Sequence, residues 1–348
     1  MGLGVSTRAL RAHHPSGAKM VSAQTALEMF GFIAFFAGFP CLILFVFDPV
    51  VRFARQNTVA NQVSVRFYAH GVECGTSCIR AEQRLDKDRV MDLSLVIPAY
   101  NEEKRLPVML DKAATFLQAW SLEEKINYEI VVADDGSNDG TALYVLNRAR
   151  LDPTIRLVSL GRNCGKGGAV KRGVNYSRGK YVLMADADGA TEISDLPRLW
   201  SSLHENQRDE AGLAIGSRAH LEKESIATRS LVRTVLMRGF HILVMLLCTS
   251  NVRDTQCGFK LFTRKAARLL FSNLHLEGWT FDIEIIVLAE QLGIPISEVP
   301  VTWNEVEGSK LIQNKLDVVL TSLKMARDML CLRLSYLLGI WAVNPLLL

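Results

Sequence analysis

Cysteine is scarce in this 348-residue chain, and neither sign of charge dominates it. The seven Cys are odd in number and too few for the disulfide framework of a small secreted protein. The 40 Lys and Arg are nearly balanced by 36 Asp and Glu, which leaves a formal net charge of +4. A strongly basic nucleic-acid-binding protein is therefore excluded, and no nucleic acid is expected as a partner. Disorder is excluded as well, because 49% of the residues are hydrophobic.

One hydrophobic run stands out near the N-terminus. Residues 29–47 carry no charged side chain, and the run falls within the roughly 17–25 residues that span a bilayer as a helix. It exceeds the ~7–15 apolar residues of a cleaved signal peptide, and a buried helix of a soluble domain is disfavoured because every face is apolar. We expect a signal anchor at 29–47, behind a short tail at 1–28. Residues 48–91 are charged and aperiodic, which predicts a tether with one short helix.

From residue 92 the pattern alternates between strand and helix. Four short apolar runs predict buried strands, and an amphipathic or glycine-led helical stretch follows the first three; the runs are Leu93–Ile97, Tyr128–Ala133, Ile155–Leu160 and Tyr181–Ala185. This alternation predicts an α/β domain over 92–330 with a doubly wound, mostly parallel sheet. Ligands of such sheets bind beyond the carboxyl ends of the strands.

The fourth predicted strand ends in Asp186-Ala187-Asp188. Side chains alternate along an extended segment, so the two carboxylates lie on the same side. Oxygen ligands without His or Cys suit Mg²⁺ or Mn²⁺ bridging a diphosphate. The same three residues could form a solvated turn. Their place at the end of a buried strand favours the metal site, because two adjacent carboxylates repel each other without a cation.

Other polar groups follow the first three strands. Asp134-Asp135 could accept the imide N–H of uracil or form a plain turn, and Tyr100 could stack on the base or pack. The segment at 165–168 (GKGG) does not fit a P-loop, because the glycine spacing is one residue short and Gly follows the Lys. A glycine turn that opens a helix still suits an anion, with Lys166 as a mobile positive charge.

In order along the chain, VIPAYNE, VVADDGSNDGT, NCGKGGAVKRG and DADGAT resemble the nucleotide and metal motifs of inverting GT-A glycosyltransferases. The second half narrows the resemblance. Its motifs are similar to those of the dolichyl-phosphate β-glucosyltransferases: GSRAH, LMRGFH, DTQCGFKLF, EGWTFDIEI, WNEVEGSK and RLSYLLGIW. Together the matches run from about residue 92 to residue 341.

The resemblance implies a GT-A fold and transfer of glucose from UDP-glucose to dolichyl phosphate with inversion. The product would be dolichyl β-D-glucosyl phosphate, the lipid-linked glucose donor for N-glycan precursor assembly. It also implies a single-pass protein of the endoplasmic reticulum membrane with its catalytic domain facing the cytosol. The lipid bilayer is therefore an expected partner.

The resemblance also assigns residues. Asp186 and Asp188 would hold Mg²⁺ or Mn²⁺. A third side-chain ligand is not expected, because Ala190 stands where related dolichyl-phosphate mannosyltransferases often carry Gln. The negative charge of the leaving diphosphate, rather than the resemblance, indicates that Lys166 would assist at the nucleotide sugar. The uridine end of the site would be formed by Pro98, Tyr100, Glu102, Asp134 and Asp135.

The substrates' charges predict further site residues. An acceptor phosphate with a second pKa of roughly 6 is already largely ionised near neutral pH, so the reaction needs cations rather than a general base. We expect Arg218, Arg229, Arg233 and Lys260 at the acceptor phosphate, with Arg218 and Lys260 as the strongest candidates. Asp282 and Glu284 either bind sugar hydroxyls or cap a helix. The predicted catalytic set is Asp188, Arg218, Lys260, Lys310 and Asp282.

Two later segments are unusually apolar for a soluble enzyme. Residues 231–248 mix apolar side chains with Arg and His, which favours a helix in the membrane interface over a core helix. Residues 331–348 end in an apolar stretch that is too short for a confident span. We expect this segment to be interfacial, with Tyr336 and Trp341 at the level of the lipid headgroups.

Two other functions stay open at this point. One keeps the chemistry but uses GDP-mannose as the donor, or another polyprenyl phosphate as the acceptor. The other is a membrane-tethered protein that binds nucleotide sugars without catalysis.

Overall fold

A computed structural model describes residues 41–56, 63–69, 71–77, 91–221, 231–304, 306 and 315–345. The chain divides into two compact units, residues 1–45 and residues 46–348. Of the first unit the structure describes residues 41–45, which are helical. The tail at 1–28 and most of the predicted anchor, residues 29–40, lie outside the described residues. Within the described part of the chain, no helix combines the length and the hydropathy needed to cross a bilayer.

The second unit contains one nine-stranded sheet with helices on both faces. The strands are β1 Val65–Ala69, β2 Val72–Ser77, β3 Leu93–Ala99, β4 Tyr128–Asp134, β5 Ile155–Leu160, β6 Tyr181–Ala185, β7 Leu213–Ser217, β8 Phe259–Thr263 and β9 Ile296–Pro300. The helices are α1 Asp48–Gln56, α2 Leu106–Glu124, α3 Thr141–Leu151, α4 Lys166–Tyr176, α5 Leu196–Asn206, α6 Leu231–Leu247, α7 Arg264–Asn273, α8 Phe281–Gln291 and α9 Lys315–Leu337. All four predicted strands are confirmed.

The strand order is β2-β1-β5-β4-β3-β6-β8-β7-β9. The four central strands β5, β4, β3 and β6 are parallel, as the alternating pattern predicts. The prediction of a mostly parallel sheet is too strong, because β8 runs antiparallel to both β6 and β7. Beyond β8, strands β7 and β9 are parallel again. The α/β class is confirmed, and the sheet is mixed.

The predicted tether at 48–91 is wrong for residues 65–77. These residues form the β1–β2 hairpin, and β1 pairs antiparallel with β5. Val65 and Phe67 point into the core in alternation with exposed or half-exposed residues, and the Phe67 ring stacks on Tyr176 at 5.6 Å. The hairpin turns at Gly71, whose φ of +70° favours glycine. Two buried apolar residues are too weak a periodic signal to mark a strand in the sequence.

Apolar layers cover both faces of the sheet. Helices α2, α3 and α5 pack on one face, and α4, α7 and α8 pack on the other. A third cluster joins α6, α8 and α9 through Val244, Ile283, Met329 and Leu332. Strand β3 is buried along its whole length, which explains its continuous apolar run. The rigid centre therefore presents the carboxyl ends of β3, β4 and β6 at one edge.

The predicted helix at 231–248 is confirmed as α6, and it contacts α9. Ile242, Met245 and Leu246 on α6 are exposed apolar side chains. The predicted headgroup positions of Tyr336 and Trp341 are wrong. Trp341 is 4% exposed and its ring stacks on His275 at 4.3 Å, and the Tyr336 hydroxyl donates to Glu284 Oε1 at 3.3 Å. An aromatic side chain in an apolar segment packs inward where a polar partner meets its polar end.

A buried charge cluster fastens the amino ends of the central strands. Glu129 on β4 is fully buried and pairs with Arg156 and Arg178. The Ser94 hydroxyl donates to Glu129 Oε1 at 2.7 Å. Burial works against ionisation of Glu129, but the two guanidinium groups and the hydrogen bonds together lower the pKa of its carboxyl group. The cluster therefore stabilises the fold while Glu129 is ionised.

We expect Glu129→Gln to lower the free energy of unfolding at pH 7 by about 3 kcal/mol, because two cations lose their buried counter-charge. In the parent, ionised Glu129 stabilises the folded state fully above the pKa that this residue has in the unfolded chain. This stabilisation is lost as pH falls through the lower pKa that Glu129 has in the folded state. Urea unfolding of the full chain in detergent, repeated from pH 7 down to pH 3, should therefore show that the free energy of unfolding falls less with pH in the variant than in the parent. The exposed Glu123→Gln is the control, and equal pH slopes for parent and Glu129→Gln would contradict the prediction.

Candidate active site

The acidic pair lies where β6 ends at the carboxyl edge of the sheet. Asp186 follows Ala185 directly, and Asp188 Oδ1 accepts the N–H of Ala190 at 3.0 Å. Asp186 Oδ1 is buried and lies 2.6 Å from Lys166 Nζ, with no further hydrogen bond in the described part of the structure. A Cβ on Gly258 would lie 2.0 Å from Asp186 Oδ2, so this backbone packs directly on the carboxylate. The pair is held in place from two sides.

The electrostatics of the pair fit a divalent cation. Burial raises the pKa of Asp188, and the neighbouring Asp186 raises it further. A cation between the two carboxylates would remove that repulsion and would give the buried Asp186 Oδ1 a second partner. The described residues contain no cluster of three or more His, Cys, Asp or Glu side chains that could hold a metal. Mg²⁺ needs no such cluster, because one or two carboxylates, substrate phosphates and water complete its shell.

Lys166 opens helix α4 beside the pair. Burial works against its charge, but the carboxylates of Asp186 and Asp282 raise the pKa of its ammonium group overall. It therefore stays positive near neutral pH. Arg105 was not predicted, and no sequence pattern marks it. Its guanidinium pairs with Glu102, and Asp188 and Asp186 also raise its pKa.

The residues predicted for the uridine end lie at the same edge of the sheet. Both oxygens of Asp135 accept backbone N–H groups, from Cys164 at 2.7 Å and Gly165 at 2.9 Å. Burial raises the pKa of Asp135 to about 7, although the hydrogen bonds from these two amides lower it. Asp134 Oδ1 accepts the N–H of Ser137 at 3.2 Å.

Both aspartates thus shape the turns that surround the uridine end, and direct contact with uracil stays a prediction. The other predicted uridine residues follow β3 or lie in it. Pro98 is buried in the strand, Tyr100 is half-buried, and the Glu102 N–H donates to Thr141 Oγ1 at 2.8 Å.

Lys260 is where the site differs most from the sequence-based expectation. It lies on β8 with 0% exposure, and its ammonium donates to the carbonyls of Thr255 and Cys257 and to Asp282 Oδ1. An ammonium has three N–H groups, and these three acceptors use them all. The structure therefore gives Lys260 no N–H for an acceptor phosphate. It fastens Asp282 to the 255–257 turn, next to Gly258 and the Asp186 carboxylate.

Arg218 follows β7 and lies at the carboxyl edge. Its guanidinium forms two hydrogen bonds with Asp254, Nε to Oδ2 at 2.7 Å and Nη2 to Oδ1 at 2.8 Å. Its Cζ lies 5.7 Å from the centre of the Trp303 ring. Asp254 begins the DTQCGFKLF motif and Trp303 begins the WNEVEGSK motif. These motifs could have pointed to both residues as neighbours of the site, but neither residue was given a role from the sequence.

Both acids in the first turn of α8 are paired with groups of the protein itself. Glu284 is fully buried and accepts the N–H groups of His275 at 3.1 Å and Leu276 at 2.7 Å. It fastens the loop before the helix and is not exposed to a sugar. Asp282 is 2% exposed and pairs with Lys260.

Three of the predicted cations are not placed by the structure. Arg229 and Lys310 lie outside the described residues, and Arg233 lies on α6 with its side chain outside them. Their roles at the acceptor phosphate and in catalysis stay predictions.

We expect Lys260→Met to lower the free energy of unfolding by about 3–5 kcal/mol, because the buried Asp282 loses the ammonium group that donates to it. Adding Asp282→Asn to the same chain should recover part of that loss, and urea unfolding of the full chain in detergent measures both. If Lys260 instead binds substrate phosphate, the single variant will fold with parental stability and show a raised acceptor KM.

The family model for glycosyl transferase family 2 matches residues 94–271. The chain is 51% identical over 256 residues to the dolichyl-phosphate beta-glucosyltransferase of Dictyostelium discoideum, covering 72% of this chain and 77% of the relative. It is 50% identical to the Mus musculus protein of the same name, covering 72% and 78%. The structure of glucosyl-3-phosphoglycerate synthase from Mycobacterium tuberculosis with UDP is similar with a TM-score of 0.49 at 18% identity, covering 69% of this chain and 80% of that one.

With identities of this size over more than two thirds of both chains, this chain is an enzyme of glycosyltransferase family 2 and belongs to the dolichyl-phosphate β-glucosyltransferases.

Proposed function

We propose that this enzyme transfers glucose from UDP-glucose to dolichyl phosphate with inversion. The product would be dolichyl β-D-glucosyl phosphate, which serves N-glycan precursor assembly as a lipid-linked glucose donor. One observation supports this proposal most: the carboxylates of Asp186 and Asp188 and the ammonium of Lys166 meet at the carboxyl edge of the sheet. That edge is where ligands of open α/β sheets bind.

Asp186 and Asp188 would hold Mg²⁺ or Mn²⁺ at the diphosphate of the donor. The buried Asp186 Oδ1 and the raised pKa of Asp188 support this assignment. When bound, the cation stabilises the negative charge that develops on the leaving diphosphate. Lys166 adds a second positive charge on the same side. Its three N–H groups can donate to phosphate oxygens, so Lys166 would orient the donor and also offset the negative charge of the diphosphate.

The acceptor explains why the site needs no general base. A phosphate monoester is already largely ionised near neutral pH, with a second pKa of roughly 6. Asp254 is paired with Arg218 and Asp282 with Lys260, so both carboxylates already act as counter-ions.

Asp254 takes two of the five N–H groups of Arg218. We assign the acceptor phosphate to Arg218, which lies at the edge where the acidic pair stands.

We place the enzyme at the endoplasmic reticulum membrane with residues 29–47 as its anchor and the catalytic domain in the cytosol. Exposed apolar side chains support contact with a lipid surface. They lie on α6, on α9 and just after α9, namely Ile242, Met245, Leu246, Val319, Leu320, Leu323, Leu338 and Ile340. Such clusters on the outside of a protein mark interaction surfaces. Protease added to sealed vesicles of endoplasmic reticulum should digest the catalytic domain, and a protected domain would contradict this topology.

The test of function incubates membranes that contain the protein with labelled UDP-glucose or GDP-mannose, dolichyl phosphate and Mg²⁺ or Mn²⁺. Chloroform-soluble label from UDP-glucose supports the proposal. Label from GDP-mannose alone assigns a mannosyltransferase instead, and no transfer from either donor refutes both. Omitting the divalent cation and adding a chelator should abolish transfer.

We expect Asp188→Asn to lower kcat by about 10²-fold or more, because loss of one carboxylate weakens charge stabilisation worth several kcal/mol. Initial rates of lipid-linked glucose formation, measured over a range of Mg²⁺ or Mn²⁺ concentrations, give the effect. Asp209→Asn makes the same change at an exposed aspartate and should keep parental rates. Parental turnover by Asp188→Asn would remove the metal role from this residue.

A further inference from the structure

Trp279 is an exposed aromatic ring beside a highly charged site. It is 41% exposed, whereas the other four Trp of the chain are buried or half-buried. It lies in the EGWTFDIEI motif, just before helix α8. Its ring therefore offers apolar surface for contact at the edge of the site.

The position of Trp279 relative to the phosphate-binding residues is well defined. Lys166 Nζ lies 5.4 Å from the centre of its ring and 2.6 Å from Asp186 Oδ1. The Glu277 carbonyl accepts the N–H of Gly168 at 3.1 Å, and the Glu277 carboxylate pairs with Arg172. The loop is thus tied to the start of α4, and the ring lies one side chain away from the acidic pair.

The other side of the same loop faces the helices with the exposed apolar surface. A Cβ on Gly278 would lie 3.9 Å from Asp328 Oδ2 on α9. Ile283 of α8 packs in one apolar cluster with Met329 and Leu332 of α9. Trp279 therefore stands between the site that would bind two phosphates and the helices that we assign to the membrane surface.

We propose that Trp279 binds the first isoprene unit of the acceptor, the hydrocarbon attached directly to its phosphate. This inference rests on the proposed function. The acceptor phosphate would lie at Arg218 on the same sheet edge, and the hydrocarbon attached to it would leave this edge toward α6 and α9, the side to which the loop of Trp279 is turned. The indole ring supplies a large apolar surface at this point and stays compatible with the cation beside it.

Soluble acceptors isolate this contact from the membrane. Isopentyl phosphate carries one saturated isoprene unit, and methyl phosphate carries none. In the full-length parent enzyme with UDP-glucose, kcat/KM should be higher for isopentyl phosphate than for methyl phosphate. In Trp279→Ala that ratio should fall by about tenfold, the effect of losing a small apolar contact in a binding site. Trp279→Phe should restore most of it, and Leu151→Ala, at an 81% exposed residue of α3, should leave it unchanged.

Three outcomes would overturn the inference. The first is an unchanged acceptor ratio in Trp279→Ala. The second is a KM for UDP-glucose that rises equally with both acceptors, which would place the ring against the sugar. The third is a parent enzyme that does not distinguish the two acceptors. If the parent transfers glucose to neither acceptor nor to dolichyl phosphate, the proposed function fails first and the inference fails with it.

Discussion

The rest of this site is arranged around the repulsion between two neighbouring carboxylates at the end of a buried strand. Asp186 and Asp188 repel each other, and burial strengthens the repulsion because little water is present to screen it. The surrounding residues compensate for this charge in different ways. Lys166 approaches from α4, and Arg105 contributes from the loop before α2. A resident cation would complete the compensation, and the positive side chains around the pair already offset part of its charge.

Beneath this charged edge lie two ion pairs that hold the surrounding loops. Lys260 crosses from β8 to Asp282 and to two carbonyl groups, and so fixes the turn that places Gly258 against Asp186. Arg218 and Asp254 do the same for the loops after β7 and before β8. Burying an ion pair costs desolvation free energy, and the attraction between the charges offsets this cost only when the hydrogen bonds of both groups are complete. The hydrogen bonds of Lys260 are complete, which makes it a residue that positions the site.

The sequence predicted the elements with strong local signals. Continuous apolar runs located β3, β4, β5 and β6, and strand-end polar groups located the site edge, because those patterns depend on the chain's own periodicity. It did not predict the β1–β2 hairpin, whose burial depends on Phe67 meeting Tyr176 from a distant helix. Nor did it predict the burial of Lys260 or Trp341, since their partners come from loops far away along the chain. Charge suggested a phosphate contact for Lys260, and only three-dimensional packing shows where its N–H groups go.

One imidazole joins the two ends of the second unit. The ring of His275 lies 4.7 Å from that of Phe53 on α1 and 4.3 Å from that of Trp341 near the C-terminus. Residues nearly three hundred positions apart thus share one cluster of rings around His275, a few residues before Trp279. Shortened or tagged forms of the protein that disturb either terminus would loosen the same histidine. The choice of end points for expression is therefore also a choice about the geometry of the loop that carries Trp279.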